Sequence, residues 1–458
     1  MKVIICGAGL VGYNIARYLA MQQVDVTVID RSAELIRKIS ESLDVQALQG
    51  YASDPELLDR ANAAQADMII AVTQSDEVNM IACQIARTLF NVKTKIARIR
   101  NQSYLSPTWA DMFGQDKVAV DVVISPEKEV AHAIYRRLTV PGALDVIPFV
   151  NDKIRVVGVH VEEDCPIINT PLKQLTELFP ELPLTILGII RDEQLFVPRS
   201  GDHMRVDDVV YFAVDSSQTA RAISIFGHEE KEAHRIVIVG GGNVSRFLVE
   251  DLIDNGKDID VKIIEYDREQ AEKLASEIDS GIVVCGDGLD QEILKEVSVQ
   301  SADTIVSVTN DDEVNILSAL LAKRMGAAHA ISLINNPIFS PLMGSLGIDV
   351  YVDPKETTVS TIVERVRRGR IHGLHSIRNG EAEIMVAEVY EGCDVVGKTL
   401  GDARFPKGAI VGALMRKGEF ITPRQDTIFE LNDMVLIFSI AQSVSKVEEM
   451  FSLRVGHL

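Results

Sequence analysis

The octapeptide VTQSDEVN, beginning at Val72, returns as VTNDDEVN at Val308, 236 residues later. Two more phrases repeat at almost the same offset. GAGLVG from Gly7 returns as GGGNVS from Gly240, and GYASDPELL from Gly50 returns as GDGLDQEIL from Gly286. A period this long marks duplication of a whole multi-element unit, since solenoid repeats run only about 20–50 residues. Each half also ends alike, in ILGIIRDEQLFVPRSGDHMRVDDVVYFAV from Ile186 and IVGALMRKGEFITPRQDTIFELNDMVLIFSI from Ile410. The chain therefore reads A–B–A′–B′. Domains are expected at 1–140, 141–228, 229–368 and 369–458, with joints at VPGALDV, FGHEEKEAHR and GRIHGLHSIRNGE.

Within A, KVIIC and VDVTVID are near-continuous apolar runs, as parallel strands buried on both faces should be. DMIIAV, KIARIR and DVVI continue the series, with helical segments between. In DEVNMIACQIARTLF the spacing puts Val78, Ile81, Ala82, Ile85 and Leu89 on one apolar stripe. Six alternating strands and helices define an α/β fold, a doubly wound Rossmann sheet, and A′ repeats it with RIVIVG, VKIIEY, GIVVCG, DTIVSV, HAISLI and DVYV. The B segments, with short strands, turns and a terminal helix, read as small α+β lobes.

The glycine turns carry the chemistry. Gly7, Gly9 and Gly12 leave a strand and open a helix, and Asp30 follows 23 residues after Gly7 at the end of the second strand. Gly7 allows the tight turn, Gly9 lets backbone approach a pyrophosphate, and Gly12 lets helix and sheet close up. The helix N-terminus offers free N–H groups, and a carboxylate at Asp30 accepts from ribose hydroxyls while repelling a 2′-phosphate. The expected ligand is an adenine nucleotide. In the second half Gly240 and Gly242 are kept, Ser245 replaces the third glycine, Glu265 takes the acidic place, and Asp287 stands where the first half has Tyr51. The two sites should differ in preference.

Thr73 and Thr309 end the fourth strand of each sheet, across the crevice. Thr73–Asp76 and Thr309–Asp312 match a helix-capping spacing. Two readings stand: capping alone, or capping with nucleotide contact from Thr73, Gln74, Thr309 and Asn310. Arg98 and Arg100 end the fifth strand, two apart and so on one face. They read either as a phosphate clamp or as a solvated strand end. Ser332 and Ile334 are the expected counterparts in the second half.

Composition narrows the function. A net charge of -21, from 46 basic and 67 acidic residues, argues against nucleic acid and against adhesion to an anionic membrane. No apolar run approaches the roughly 20 residues a membrane helix needs, and the N-terminus does not read as a signal peptide. The five widely spaced cysteines (Cys6, Cys83, Cys165, Cys285, Cys393) read as reduced core residues of a cytosolic protein. HGLH (His372, His375) sits in an expected joint and lacks helical metal-ligand spacing, so no metal site is expected. Neither a GxSxG elbow nor a Walker A loop occurs. The rival reading, an NAD-dependent oxidoreductase with a duplicated cofactor domain, lacks an evident proton carrier.

GAGLVG…VID, GYASDPELL, AVTQSDEVNMIACQIAR, ARIR and VPRSGD…VDDVVYF, in that order and twice over, resemble the RCK family, the regulators of potassium conductance built from TrkA-N and TrkA-C domains. The resemblance spans essentially the whole chain. It implies a regulatory rather than catalytic protein, peripheral on the cytoplasmic face of the inner membrane. It implies a tetrameric gating ring beneath an integral-membrane Trk-type potassium channel or transporter subunit, with NAD(H), ATP or ADP in the Rossmann lobes. By resemblance the first site takes in the turn Gly7, Ala8, Gly9, Leu10, Val11, then Asp30, Thr73, Gln74 and Arg98, and Arg31 and Gly50 are further candidates for the same site. The second takes in Gly240, Gly241, Gly242, Asn243 and Val244, with Glu265, Thr309 and Asn310.

Overall fold

A computed structural model describes residues 1–113, 117–228, 232–254, 259–278, 280–366 and 371–452. The expected joints at 228/229 and 368/369 lie outside them, wholly or in part, as does the side chain of His372.

Strands β1 (Lys2–Cys6), β2 (Asp25–Asp30), β3 (Gln46–Gln49), β4 (Met68–Ala71), β5 (Thr94–Arg98) and β6 (Val122–Ile124) form a parallel sheet in the order β3-β2-β1-β4-β5-β6. Helices α1 (Leu10–Met21), α2 (Ala33–Ser42), α3 (Pro55–Arg60) and α4 (Asp76–Thr88) connect the strands. The order reverses between β1 and β4, and this switch point opens a crevice at the carboxyl edge. α5 (Pro126–Thr139) follows the sheet.

An antiparallel sheet comes next: β7 (Ala143–Phe149), β8 (Ile154–His160), β9 (Leu184–Arg191), β10 (Gln194–Phe196) and β11 (Val209–Asp215), ordered β10-β9-β11-β8-β7, with short helices α6 (Leu172–Leu178) and α7 (Thr219–Ser224).

The second half repeats both. β12 (Arg235–Val239), β13 (Asp260–Glu265), β14 (Ile282–Cys285), β15 (Thr304–Ser307), β16 (His329–Leu333) and β17 (Val350–Val352) pair as β14-β13-β12-β15-β16-β17. Their helices are α8 (Asn243–Asp254), α9 (Arg268–Glu277), α10 (Gln291–Glu296), α11 (Asp312–Met325), α12 (Met343–Leu346) and α13 (Pro354–Val366). β18 (Ile371–Ile377), β19 (Ala382–Glu388), β20 (Ala409–Arg416), β21 (Glu419–Ile421) and β22 (Met434–Ile440) form the last sheet, with α14 (Leu400–Ala403) and α15 (Val444–Met450). The stretch read as the joint GRIHGLHSIRNGE is thus largely strand. β18 pairs with β19 and absorbs its irregularity in a register shift between Ile371 and Gly373.

The two halves exchange helices. Val130, Ala131, Ile134 and Leu138 of α5 pack with Ile236, Phe247, Leu248 and Leu252 of the second Rossmann lobe. Val359, Ile362 and Val363 of α13 pack with Ile5, Ile15, Tyr18 and Leu19 of the first. α5 and α13 also meet, where Thr361 Oγ1 donates to Glu129 Oε2 at 3.2 Å. The two antiparallel sheets pack face to face through Ile147, Val156, Leu187 and Ala213 on one and Ile384, Ala413, Leu436 and Phe438 on the other. Glycine is required at this seam, because a Cβ on Gly188 would come within 2.6 Å of the Phe438 ring.

α4 departs from its expected stripe. Its buried residues are Asp76, Asn79, Met80, Ala82, Cys83 and Ala86, while Ile81 and Leu89 are exposed. Small residues, Met80 and two polar anchors face the sheet because the helix must close on the strand ends; Val78 and Ile85 pack partly buried at the edge of this core, and only Ile81 and Leu89 of the expected stripe point outward. Cys285 likewise departs from the core reading and is exposed at the end of β14, whereas the other four cysteines are buried.

Candidate functional site

The first crevice is built on the turn between β1 and α1. Gly7 has φ +114, and Gly12 admits no side chain, since a Cβ there would lie 1.8 Å from the Gly7 carbonyl oxygen. A Cβ on Gly9, by contrast, would meet no protein atom within 4 Å. The open space lies above the start of α1, whose N-terminus has no side-chain cap and no acidic residue in its first turn. Positive potential and unpaired N–H groups therefore face that space. Leu10 is exposed beside it and Val11 is buried beneath. Asp30 ties the rim together: Oδ2 accepts from the Ala8 N–H at 2.7 Å and Oδ1 from the Ser32 N–H at 2.8 Å. Gly50 donates its N–H to the Asp30 carbonyl at 2.9 Å, so the β2 and β3 ends stand side by side, with Arg31 exposed.

The second crevice is the same design with compensated differences. Gly240 has φ +103, and a Cβ on Gly242 would again meet nothing within 4 Å. Asn243 is exposed and Val244 half-buried. Glu265, one methylene longer than Asp30, accepts from the Gly241 N–H at 2.5 Å and the Asp267 N–H at 2.8 Å. Gly241 replaces Ala8 because a Cβ there would press on the Glu265 side chain at 3.0 Å. Ser245 donates its hydroxyl to the Gly240 carbonyl, the group that a side chain at Gly12 would strike in the first half. The close glycine packing is thus replaced by a hydrogen bond. Asp287 is exposed and accepts from the Leu289 N–H at 2.9 Å, holding its own turn.

The repeated octapeptide forms the opposite wall, and the structure corrects its capping role. The N-caps are Ser75 and Asp311, accepting from the Val78 and Val314 N–H groups. Thr73 and Thr309 lie two residues earlier and are engaged by Asn79 and Asn315. Asn79 Oδ1 accepts from the Thr73 N–H and hydroxyl at 2.9 and 2.7 Å, and Nδ2 donates to the Thr73 and Arg98 carbonyls at 3.2 and 2.8 Å. Asn315 repeats the set on Thr309 and Leu333 at 2.8, 2.8, 3.0 and 2.9 Å. Asp76 accepts from the Arg100 and Asn101 N–H groups, and Asp312 from those of Asn335 and Asn336. The sequence reading missed these asparagines, and it took the aspartates only as the far ends of a capping spacing. Their recurrence inside the repeated phrase was the signal. Gln74 and Asn310 are exposed at the turn tips.

These bonds also correct the pairing of the fifth strands. Arg98 corresponds to Leu333 and Arg100 to Asn335, one residue beyond the expected Ser332 and Ile334. Ser332 is fully buried with its hydroxyl on the Asn315 carbonyl at 3.3 Å, so it does not reach the crevice. The two arginines part company. Arg98 Nη2 donates to the Thr73 carbonyl at 2.8 Å, whereas Arg100 Nε turns to Glu127 Oε1 at 3.2 Å. Burial, and then neighbouring Arg100, holds the Arg98 guanidinium below the ordinary arginine range. Arg98 Nε is buried with no hydrogen-bond partner. A buried orphan donor on one wall and a capless helix N-terminus on the other fit an anionic ligand spanning the crevice.

Two family models each match the chain twice. The TrkA-N domain model matches residues 3–126 and 236–354, and the TrkA-C domain model matches 156–227 and 384–452. The chain is thus a duplicated RCK-type protein with a Rossmann-type nucleotide-binding fold. It belongs to the family of Trk system potassium uptake proteins TrkA. It is 44% identical to the member from Azorhizobium caulinodans over 451 residues, covering 98% of both chains. It is 37% identical to that from Vibrio alginolyticus, again over 98% of each. Among solved structures, the GsuK RCK domain aligns at TM-score 0.58 and 16% identity, covering 98% of this chain and 94% of that one. A GsuK channel bound to NAD aligns at TM-score 0.58 and 15% identity, covering 98% and 78%.

Proposed function

We propose that the chain is the regulatory subunit of a Trk-type potassium uptake system, and that adenine nucleotides in its two crevices set the activity of an integral-membrane partner. Full-length kinship with Trk potassium uptake proteins is the observation that carries this reading. No helix among the described residues is long and apolar enough to cross a membrane, so ion passage falls to the partner. The chain acts from the cytoplasmic face, as a tetrameric ring.

NAD(H), ATP and ADP are the proposed ligands. The diphosphate sits over Gly9 or Gly242, the adenosine ribose on Asp30 or Glu265, and the anionic end of a first-site ligand meets Arg98. The chain's part is positional. Asn79, Asn315, Asp76 and Asp312 hold backbone, and Asp30 and Glu265 hold the turn, which supports regulation without a chemical step. A ligand bridging both walls biases the lobes, and the exchanged α5 and α13 carry that bias to the other half. A coupling of about 1–3 kcal/mol changes an opening equilibrium about 5- to 150-fold.

The test is calorimetric titration of the full chain with NADH, ATP and ADP, alongside potassium uptake by cells carrying Gly9→Ala or Gly242→Ala. Each added methyl meets only ligand space, so each variant should fold, lose one binding event per chain and alter uptake. Undiminished binding stoichiometry in both variants would sink the proposal.

A further inference from the structure

We propose that Tyr51 and Tyr266 are the base-stacking platforms of the two crevices, and that the charge beside each sets which nucleotide that site prefers. The inference rests on the nucleotide reading above.

The two rims superpose position by position. Asp30 pairs in register with Gln49, and Glu265 with Cys285. Gly50 and Gly286 each donate their N–H to the carbonyl of the acidic residue at 2.9 Å. Gln49 Nε2 reaches the Arg31 carbonyl at 3.3 Å, and Cys285 Sγ the Tyr266 carbonyl at 3.9 Å. Arg31 therefore corresponds to Tyr266, and Tyr51 to Asp287. Each rim holds one tyrosine and one charged residue, but the tyrosine has changed strands, from the β3 end in the first site to the β13 end in the second.

Tyr51 is 62% exposed and Tyr266 78%, so both side chains are largely open to solvent and to a ligand. With the diphosphate on the helix N-terminus and the ribose on the acidic residue, the base falls over these two strand ends. A tyrosine ring there stacks on adenine and recovers apolar surface otherwise left in water. The exchange of strands places a different residue alongside. At the first rim Arg31 offsets Asp30. At the second, Asp287 adds to Glu265. A nucleoside triphosphate is more negative than a nicotinamide dinucleotide, so the second rim penalises it more. The first site is thereby fitted to ATP or ADP and the second to NAD(H).

Calorimetry on the full chain tests this with Gly9→Ala isolating the second site and Gly242→Ala the first. On the Gly9→Ala background, Tyr266→Ala should weaken both ATP and NADH about 5- to 150-fold, while Tyr266→Phe keeps the parent affinity. On the Gly242→Ala background Tyr51→Ala should do the same. Asp287→Asn should strengthen ATP at the second site more than NADH, with the difference shrinking at high salt. Parent affinity after either alanine change, or equal losses with alanine and phenylalanine, overturns the platforms. Equal effects of Asp287→Asn on the two ligands overturn the charge rule. Nucleotide binding that survives the double glycine variant overturns the crevice reading, and this inference with it.

Discussion

Arg246 Nη2 lies 3.3 Å from Gln102 Oε1, joining the helix that opens the second crevice to the loop that leaves the first. Arg246 follows Ser245, which touches the second glycine turn, and Gln102 stands two residues beyond Arg100. A second link also reaches α8, from α5: His132 Nε2 lies 3.4 Å from Asp251 Oδ1. The two sites therefore share a mechanical boundary. Arg246→Ala should leave each isolated site's affinity near normal but reduce the effect of one occupied site on the other, by about two- to fivefold for one half-buried polar bond. Titration of ATP in the presence and absence of saturating NADH measures this. An unchanged ratio would mean that the contact transmits nothing.

Asn79 and Asn315 each make all four hydrogen bonds their amides allow, fully buried. Asn79→Ala or Asn315→Ala should cost about 2–4 kcal/mol, because buried backbone groups are left unsatisfied. Asn→Asp keeps the shape but loses both donors and buries a charge, so it should be no milder. Denaturant unfolding monitored by far-UV circular dichroism reads the loss. Wild-type stability would show that the wall is held by something else.

The third glycine and its serine counterpart should not be interchangeable. Gly12→Ser drives a side chain into the Gly7 carbonyl and should cost about 3 kcal/mol, the upper end of the overpacking range, because the clash is with backbone. Ser245→Gly removes one buried bond and adds a helix glycine, for about 1–2 kcal/mol. Thermal melts of the two variants should differ in that order.

Glu356 supplies a pH dependence. It lines a cleft of about 520 Å³ with Asp145, Asp353, His375 and Arg137. Burial, and then Asp353 and Asp145, push its carboxyl above the ordinary glutamate range. A carboxyl with a raised folded pKa holds its proton more firmly folded than unfolded. Its stabilising contribution is therefore full below the ordinary glutamate value and is lost as pH rises through the raised one. Glu356→Gln should raise the melting temperature at about pH 8 and leave it nearly unchanged at about pH 4. A gain at acid pH instead would reverse the sign and refute the assignment.

Strand order, glycine turns and duplication were legible because each is written locally: β-branched runs, glycines at fixed spacing, phrases repeated in order. What escaped was relational. The apolar stripe of α5 says that Val130, Ile134 and Leu138 must be covered, but not that Phe247 and Leu252 cover them. The offset of Arg98 against Leu333 was hidden because alternating letters align nearly as well one residue out. The Asn79 and Asn315 bonds, the Asp76 and Asp312 bonds and the strand pairing together fix the register. IHGLHSI looked like a joint because its glycine and histidines mask a strand supported by β19.

The exchanged helices also bear on how the chain is made. Val3 and Ile5 share a core with Val359, Ile362 and Val363, which emerge roughly 350 residues after them. During synthesis the first Rossmann lobe must wait with an uncovered apolar face until the second is nearly finished. A chain severed between its halves would carry two such faces, each seeking the other fragment. The duplication thus joins in one polypeptide two units that each complete the other's core.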